Sequence, residues 1–217
     1  MQQRKLDITA ETLDYSLYVV TEATAERSPL EIAAAAYAGG AGVVQYRHKG
    51  VNGRELFLWA QQLAVLARES GRALIINDRV DVALAVRADG VHLGPDDMPV
   101  SAARRILGST AIIGASVSTV DEAVEAEAEG ASYLGVGCMY TTQSKADAGE
   151  PLGPERLREI RAAVNIPLVA IGGITGENIP ELLAAGADGV AVITAVTRAK
   201  NMKTATRELL KIIKAVR

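Results

Sequence analysis

Short apolar runs rich in valine and isoleucine alternate along the chain with longer stretches of helical period. The runs at 16–20 (SLYVV), 42–47 (GVVQYR), 73–77 (ALIIN), 90–93 (GVHL), 111–116 (AIIGAS), 132–136 (SYLGV), 167–172 (PLVAIG) and 189–194 (GVAVIT) are continuous rather than alternating. Such runs suit parallel strands covered on both faces. Amphipathic patterns predict helices over 29–39, 53–70, 79–87, 99–107, 119–129, 153–163, 176–186 and 202–216. In 119–129 (TVDEAVEAEAE), Ala123 and Val124 face inward, and Thr119 reads as the cap ahead of Asp121 and Glu122, acids that suit a helix N-terminus. Glycines mark several helix ends: Gly39-Gly40-Ala41-Gly42, Gly130-Ala131 and Gly186-Ala187-Asp188-Gly189 each place glycine where a helix stops and turns into a strand. A related phrase is Ala88-Asp89-Gly90-Val91.

Eight strand–helix alternations predict a (β/α)8 TIM barrel, one domain over 1–217. An open doubly wound sheet has the same local pattern, but the count of eight in a short chain favours closure. Residues 1–14 are a leading segment, with a short helix expected over 7–14 across the bottom of the barrel.

Composition narrows the partners. Lys+Arg total 23 against 26 Asp+Glu, a net charge of −3, so no general basic field suggests nucleic acid and any anion site must be a local cluster. A single cysteine, Cys138, excludes an intrachain disulfide and suits a reducing compartment. The N-terminal stretch lacks the apolar core of a secretory signal, and no apolar run reaches membrane-spanning length. A cytoplasmic protein with no membrane partner is expected; a homodimer is a candidate assembly.

In such a barrel, function gathers just beyond the C-terminal ends of the strands, and polar residues collect there. The second strand runs into Gln45-Tyr46-Arg47-His48-Lys49, the third into Asn77-Asp78, the fourth into His92-Leu93-Gly94-Pro95-Asp96-Asp97 and the fifth into Ser116. After the sixth come Thr141-Thr142-Gln143-Ser144-Lys145, and after the seventh Gly172-Gly173-Ile174. Arg47 and Lys49 alternate along an extended segment, so both can converge on one anion while His48 points elsewhere; a guanidinium fork and an ammonium point charge suit phosphate. Lys145 adds a cation from across the mouth. Asp78 and Asp97 are hard oxygen ligands, and two carboxylates with substrate phosphate oxygens are a usual way to hold Mg²⁺. Gly172-Gly173 ahead of a helix, with the end of the eighth strand, is the usual phosphate position of these barrels. Plainer readings exist: Asp78 as a helix cap, Gly172-Gly173 as turn chemistry, His92 as a hydrogen-bonded core histidine, Cys138 as a buried thiol, Phe57 and Trp59 as packing.

Taken in order, Gln45-Tyr46-Arg47-His48-Lys49, Ile76-Asn77-Asp78, Val91 to Asp97, Gly135-Val136-Gly137 with Thr142 to Lys145, and Ala170 to Ile174 resemble the thiamine phosphate synthase family. The resemblance runs from about residue 15 to the C-terminus. It implies a transferase that displaces pyrophosphate from 4-amino-5-hydroxymethyl-2-methylpyrimidine pyrophosphate with the ring nitrogen of 4-methyl-5-(2-phosphoethyl)thiazole, by dissociative substitution. By position it implies that Arg47, Lys49 and Lys145 are catalytic and Asp78 and Asp97 hold Mg²⁺. Gln45 would orient the pyrimidine, and Asn77 and Ser116 would contact its pyrophosphate end. Thr142, Ser144 and the backbone at Gly173, Ile193 and Thr194 would hold the thiazole phosphate, with 141–149 a loop closing over the site. Thr141 stands where the family usually has proline, Ala146 where it usually has lysine, and Ser144 where threonine is more common. Rival functions on the same fold are a thiazole-phosphate isomerase, a non-catalytic sensor of thiamine precursors and a sugar-phosphate isomerase.

Overall fold

Eight parallel strands pair in sequence order and close into a barrel: β1 (Leu17–Val20), β2 (Val43–Tyr46), β3 (Ala73–Asn77), β4 (Gly90–Leu93), β5 (Ile112–Val117), β6 (Tyr133–Val136), β7 (Leu168–Ile171) and β8 (Gly189–Val192), the last returning to β1. The structure, a computed structural model, describes residues 8–22, 26–142 and 150–217. The helices are α1 (Pro29–Gly39), α2 (Gly53–Ser70), α3 (Val80–Val86), α4 (Val100–Leu107), α5 (Val120–Ala128), α6 (Gly153–Ala163), α7 (Ile179–Ala184), α8 (Thr194–Thr197) and α9 (Met202–Val216). Among the described residues no helix is long and apolar enough to cross a membrane.

Local chemistry sets several helix ends. Ser28 and Glu31 form a capping box in front of Pro29, and Gly40 closes α1 at φ +106°. Asn52 caps α2, which Gly71 ends in the left-handed region. Thr119 caps α5, as the sequence predicts, and with Glu122 makes a second capping box. Each box satisfies backbone donors that a helix start leaves open.

The strands alternate between two apolar layers, because successive side chains of a strand point to opposite faces. Leu17, Val19, Val44, Leu74, Ile76, Val91, Leu134, Val136, Val190 and Val192 pack outward under the helices. Tyr18, Val20, Val43, Ala73, Ile75, Ile112, Tyr133, Val169 and Ala191 fill the interior. The repeated glycine phrase has a steric meaning here. A Cβ on Gly42 would lie 2.0 Å from the Asp14 carbonyl oxygen, one on Gly90 1.7 Å from that of Ile112, and one on Gly189 1.8 Å from that of Tyr15. Each glycine admits a neighbouring backbone where a strand begins.

Three expectations are corrected. The described part of 7–14 is not a helix: Thr9 and Thr12 close a single turn through Thr12 N–H to Thr9 O (3.2 Å) and Thr9 N–H to Thr12 Oγ1 (3.0 Å). Ile8, Ala10 and Leu13 instead pack against the interior layer, a tertiary contact that overrides a weak local preference. Val124 is exposed, and the inward face of α5 is carried by Ala123 and Ala126. The last apolar run also stops being strand at Val192, and Thr194 opens the short helix α8.

Candidate active site

The inward positions at the C-terminal ends of the strands open into a cavity of about 580 Å³, lined by Gln45, Arg47, Asn77, His92 and Ser116 from β2 to β5 and by Thr142, Gly172, Gly173, Ile193, Thr194 and Arg198 from the segments after β6 to β8. Eight residues singled out from the sequence thus share one wall system: Gln45, Arg47, Asn77, Ser116, Thr142, Gly173, Ile193 and Thr194. Lys49, Asp78 and Asp97 do not line it but form a group beside it. Ser144 and Lys145, like Gln143 and Ala146, lie outside the described residues.

Strand phase explains much of this. Gln45 points inward on β2 and is only 5% exposed. The phase continues past the end of β2 because the buried Thr21 hydroxyl latches the next residue twice, accepting from Arg47 N–H (3.0 Å) and donating to Arg47 O (3.2 Å). Arg47 therefore faces the cavity, as Gln45 does. His48 does point elsewhere: its ring meets Tyr46 edge-on, with Nδ1 3.5 Å from the Tyr46 hydroxyl. Lys49 extends to the exposed rim, with Nζ 3.7 Å from Asp78 Oδ2.

Asp78 has φ +62°, a left-handed conformation that Asp tolerates better than most residues. It does not cap α3; the N-cap is Arg79, which makes no side-chain cap bond. Burial pushes the Asp78 carboxyl up to about 6, helped by a hydrogen bond to Asp97 and repulsion from it, and opposed by Lys49 and Arg47. Asp97 is fixed in the loop after β4 by Gly94 N–H donating to its Oδ2 (2.6 Å). Asp96 is exposed, so Asp97 is the member of that pair that meets Asp78. Two carboxylates close enough to share a proton are a donor set that fits a divalent cation. Among the described residues no three acidic, His or Cys side chains are placed to hold a metal ion together, so such an ion would draw its remaining ligands from phosphate oxygens and water.

The opposite wall is backbone-rich. Gly172 (φ +101°) and Gly173 (φ +66°) turn left-handed. A Cβ on Gly172 would fall 2.5 Å from Cys138 Sγ, and one on Gly173 2.8 Å from Thr141 O. Met139 N–H and Tyr140 N–H donate to Ile171 O (2.9 Å) and Gly172 O (3.0 Å). Together these hold the segment leading to Thr142 against the β7 turn. The expectation that Gly173 lies at a helix N-terminus is corrected: α7 begins only at Ile179, and Asn178 occupies the gap, its Nδ2 donating to Gly173 O (3.0 Å).

Sequence reasoning overlooked other members of the cavity wall. Arg198, which pairs with Glu22 (3.1 Å), follows α8, whose four residues are too few to show a helical period. Tyr18 and Tyr133 were concealed by their apolar runs, although both stand in the inward phase. His92 is hydrogen-bonded, as expected of a core histidine, yet it also reaches the cavity. Cys138 is buried, and Phe57 and Trp59 pack against the outer core.

Comparison with known proteins identifies the family. The family described as Thiamine monophosphate synthase matches residues 17–196. Thiamine-phosphate synthase of Moorella thermoacetica is 48% identical over 205 residues, covering 94% of this chain and 98% of that protein. Its counterpart in Chlorobium luteolum is 50% identical over 201 residues, covering 93% and 94%. Among solved structures, thiamine phosphate pyrophosphorylase from Pyrococcus furiosus superposes with a TM-score of 0.87 at 45% identity, covering 94% of this chain and 98% of that one. The match extends through every strand that contributes to the cavity, and the chain belongs to the thiamine monophosphate synthase family.

Proposed function

We propose that this chain condenses 4-amino-5-hydroxymethyl-2-methylpyrimidine pyrophosphate with 4-methyl-5-(2-phosphoethyl)thiazole to give thiamine phosphate and pyrophosphate, the activity for which its relatives are named. The observation that carries the reading is one cavity flanked by Arg47, Lys49, Asp78 and Asp97 at the ends of β2 to β4, and walled by Gly173 and Thr194 after β7 and β8. Two anion-binding regions in one cavity suit two phosphorylated substrates.

The bond from the pyrimidine methylene carbon to the pyrophosphate oxygen breaks, and its electron pair leaves with pyrophosphate. The thiazole nitrogen lone pair then closes on the resulting carbocation. Charge grows on the departing oxygens, so positioned cations are the main catalytic demand. Arg47 and Lys49 meet it from the β2 end, and Lys145 is assigned the same task. Gln45 orients the pyrimidine, while Asn77 and Ser116 contact its pyrophosphate end. Thr142 and Ser144, with backbone at Gly173, Ile193 and Thr194, hold the thiazole phosphate. Asp78 and Asp97 would hold Mg²⁺, which supplies further charge neutralisation for the pyrophosphate when bound. The presence of this cluster favours a synthase over a thiazole-phosphate isomerase, which needs an acid–base residue and no pyrophosphate grip. A cytoplasmic setting and a homodimer belong to the same proposal. The single thiol supports the first. Exposed Leu58 and Val65 on α2, with Leu84 on α3, support the second.

Incubating the protein with both substrates and Mg²⁺, and reading thiamine phosphate as its oxidised fluorescent derivative, tests the reaction. Product that disappears with EDTA is expected; no product, with both ligands still bound, would move the reading to a sensor.

The Asp78–Asp97 pair also predicts a pH-dependent response to metal. The fold raises the Asp78 pKa to about 6, so this group's stabilisation is present at low pH and is lost as pH rises through about 6. A divalent cation should offset that loss. At ten times its Kd, Mg²⁺ is expected to raise Tm by about 3–6 °C at pH 7.5, and much less at pH 5. The rise should vanish in Asp78→Asn. Melting curves with Mg²⁺ and with EDTA that coincide at pH 7.5 would remove the cation from this pair.

A further inference from the structure

A continuous series of hydrogen bonds crosses the barrel interior and joins two residues of the cavity wall. Gln45 Nε2 donates to the Tyr18 hydroxyl (2.8 Å), the Tyr18 and Tyr133 hydroxyl oxygens are 2.8 Å apart, Tyr133 Oη is 2.9 Å from His92 Nδ1, and His92 Nε2 is 2.9 Å from Ser116 Oγ. Tyr18 and Tyr133 are each 1% exposed. Glycines in the strands make room for the series. A Cβ on Gly114 would lie 2.2 Å from Tyr133 Cζ and 2.5 Å from His92 Nδ1, and one on Gly135 would lie 2.9 Å from His92 Cε1. Burial pushes both tyrosine hydroxyls well above their ordinary range, so each keeps its hydrogen at any working pH.

Each hydroxyl has one hydrogen, and a neutral imidazole has one N–H and one lone pair. A series built from such members has a single direction from end to end. Run from Gln45 towards Ser116, it uses the amide N–H at Tyr18, leaves Gln45 Oε1 as an acceptor for a ligand, and leaves the Ser116 hydrogen free to donate. Run the other way, it offers the ligand an NH₂ at Gln45 and only lone pairs at Ser116. A pyrophosphate oxygen can only accept, so a pyrophosphate at Ser116 selects the first direction, in which Gln45 spends one of its two N–H groups on Tyr18 and its Oε1 is turned to accept a hydrogen from the other end of the substrate.

We infer that Tyr18, Tyr133 and His92 are positioning residues that hold the Gln45 amide as an acceptor, and so make the site specific for a pyrimidine with an exocyclic amine over the same ring with an oxo group. The inference rests on the pyrimidine pyrophosphate assigned above. A ring oxygen set against Gln45 Oε1 leaves two acceptors facing each other without a hydrogen, the kind of mismatch that sites built around a donor reject strongly.

The test compares kcat/KM for the amino and oxo forms of the pyrimidine pyrophosphate. The native protein is expected to prefer the amino form by roughly a hundredfold or more. Tyr133→Phe interrupts the series while keeping the ring, and should shrink that preference by about tenfold with product still formed. Tyr15→Phe is the packing control: its ring lies 5.1 Å from that of Tyr133 and its buried hydroxyl has no partner among the described residues, so the preference should be unchanged. An undiminished preference in Tyr133→Phe overturns the inference. A second readout is independent of turnover. With only two histidines in the chain, ¹⁵N spectra of the native protein and a His48→Gln variant identify the His92 ring. The Nε2–H tautomer is expected, and the Nδ1–H tautomer would reverse the series and overturn the inference. If His92 has the expected tautomer but neither pyrimidine gives product, the synthase reading fails. Calorimetric binding of the two pyrophosphates then decides the selectivity: amino preferred upholds the inference, no preference ends it.

Discussion

Arg47→Ala is expected to lower kcat by about 10²–10³-fold while leaving the fold intact, since losing one preorganised donor to a developing oxyanion typically costs that much. The side chain reaches the cavity because Thr21 fixes its backbone at both N–H and C=O, and it also bears on Asp78. Its removal takes a cation from the leaving group and leaves the Asp78–Asp97 pair with Lys49 as its nearest ion-pair partner, at 3.7 Å. Arg47→Lys keeps the charge but loses the bidentate fork, so an intermediate rate is expected. Steady-state rates of thiamine phosphate formation, with Tm measured alongside, check both. A loss in Arg47→Ala of less than about threefold would falsify its assignment to the departing pyrophosphate.

The largest effect on stability is expected at Gly90, at the start of β4. Alanine there would place a methyl group 1.7 Å from the Ile112 carbonyl oxygen, where β4 and β5 first pair, Gly90 against Ile112. No rotamer relieves a Cβ clash with backbone, so the strands must separate and the closed ladder must give. A cost of about 4 kcal/mol or more is expected, at the far end of single-substitution effects, equivalent to roughly 10 °C or more in Tm for a domain of this size. Gly108→Ala is the control. Gly108 has φ +85° and ψ 176° with nothing within 4 Å of an added Cβ, so only the backbone strain of a region nearly reserved for glycine, about 1–3 kcal/mol, should appear. Melting curves that place the two variants together would show that the approach of β4 to β5 does not require glycine.

The helix ends show which information is local. Limits of α1 and α2 were legible to the residue because Ser28, Glu31, Asn52, Gly40 and Gly71 act on the backbone beside them. Continuous Val/Ile runs marked the strands, since only a sheet covered on both faces buries every residue of a run. The position of polar residues at the ends of those runs was enough to bring Gln45, Arg47, Asn77, Ser116 and Thr142 to one cavity wall. The leading segment misled because its path is set by the contacts of Ile8, Ala10 and Leu13 with the interior layer, which no local pattern shows. α8 was hidden because four residues carry no period, and Val124 because one apolar residue does not say which way a short helix faces.

Order of elements, barrel class and polar strand ends were thus determined by the sequence, through continuous apolar runs, the 3.6-residue helical period and caps, which are properties of neighbours in the chain, and the family was legible in the ordered motifs at the strand ends. Which polar groups meet was decided only by closure. Asp78 finds Asp97 and Lys49 because β3 lies beside β4 and β2. Tyr18, Gln45, His92, Tyr133 and Ser116 come from β1, β2, β4, β6 and β5 and join only because the inward phases of a closed barrel share one axis. Gly114 and Gly135 are ordinary strand glycines in the sequence; in the barrel they are the space into which that series fits.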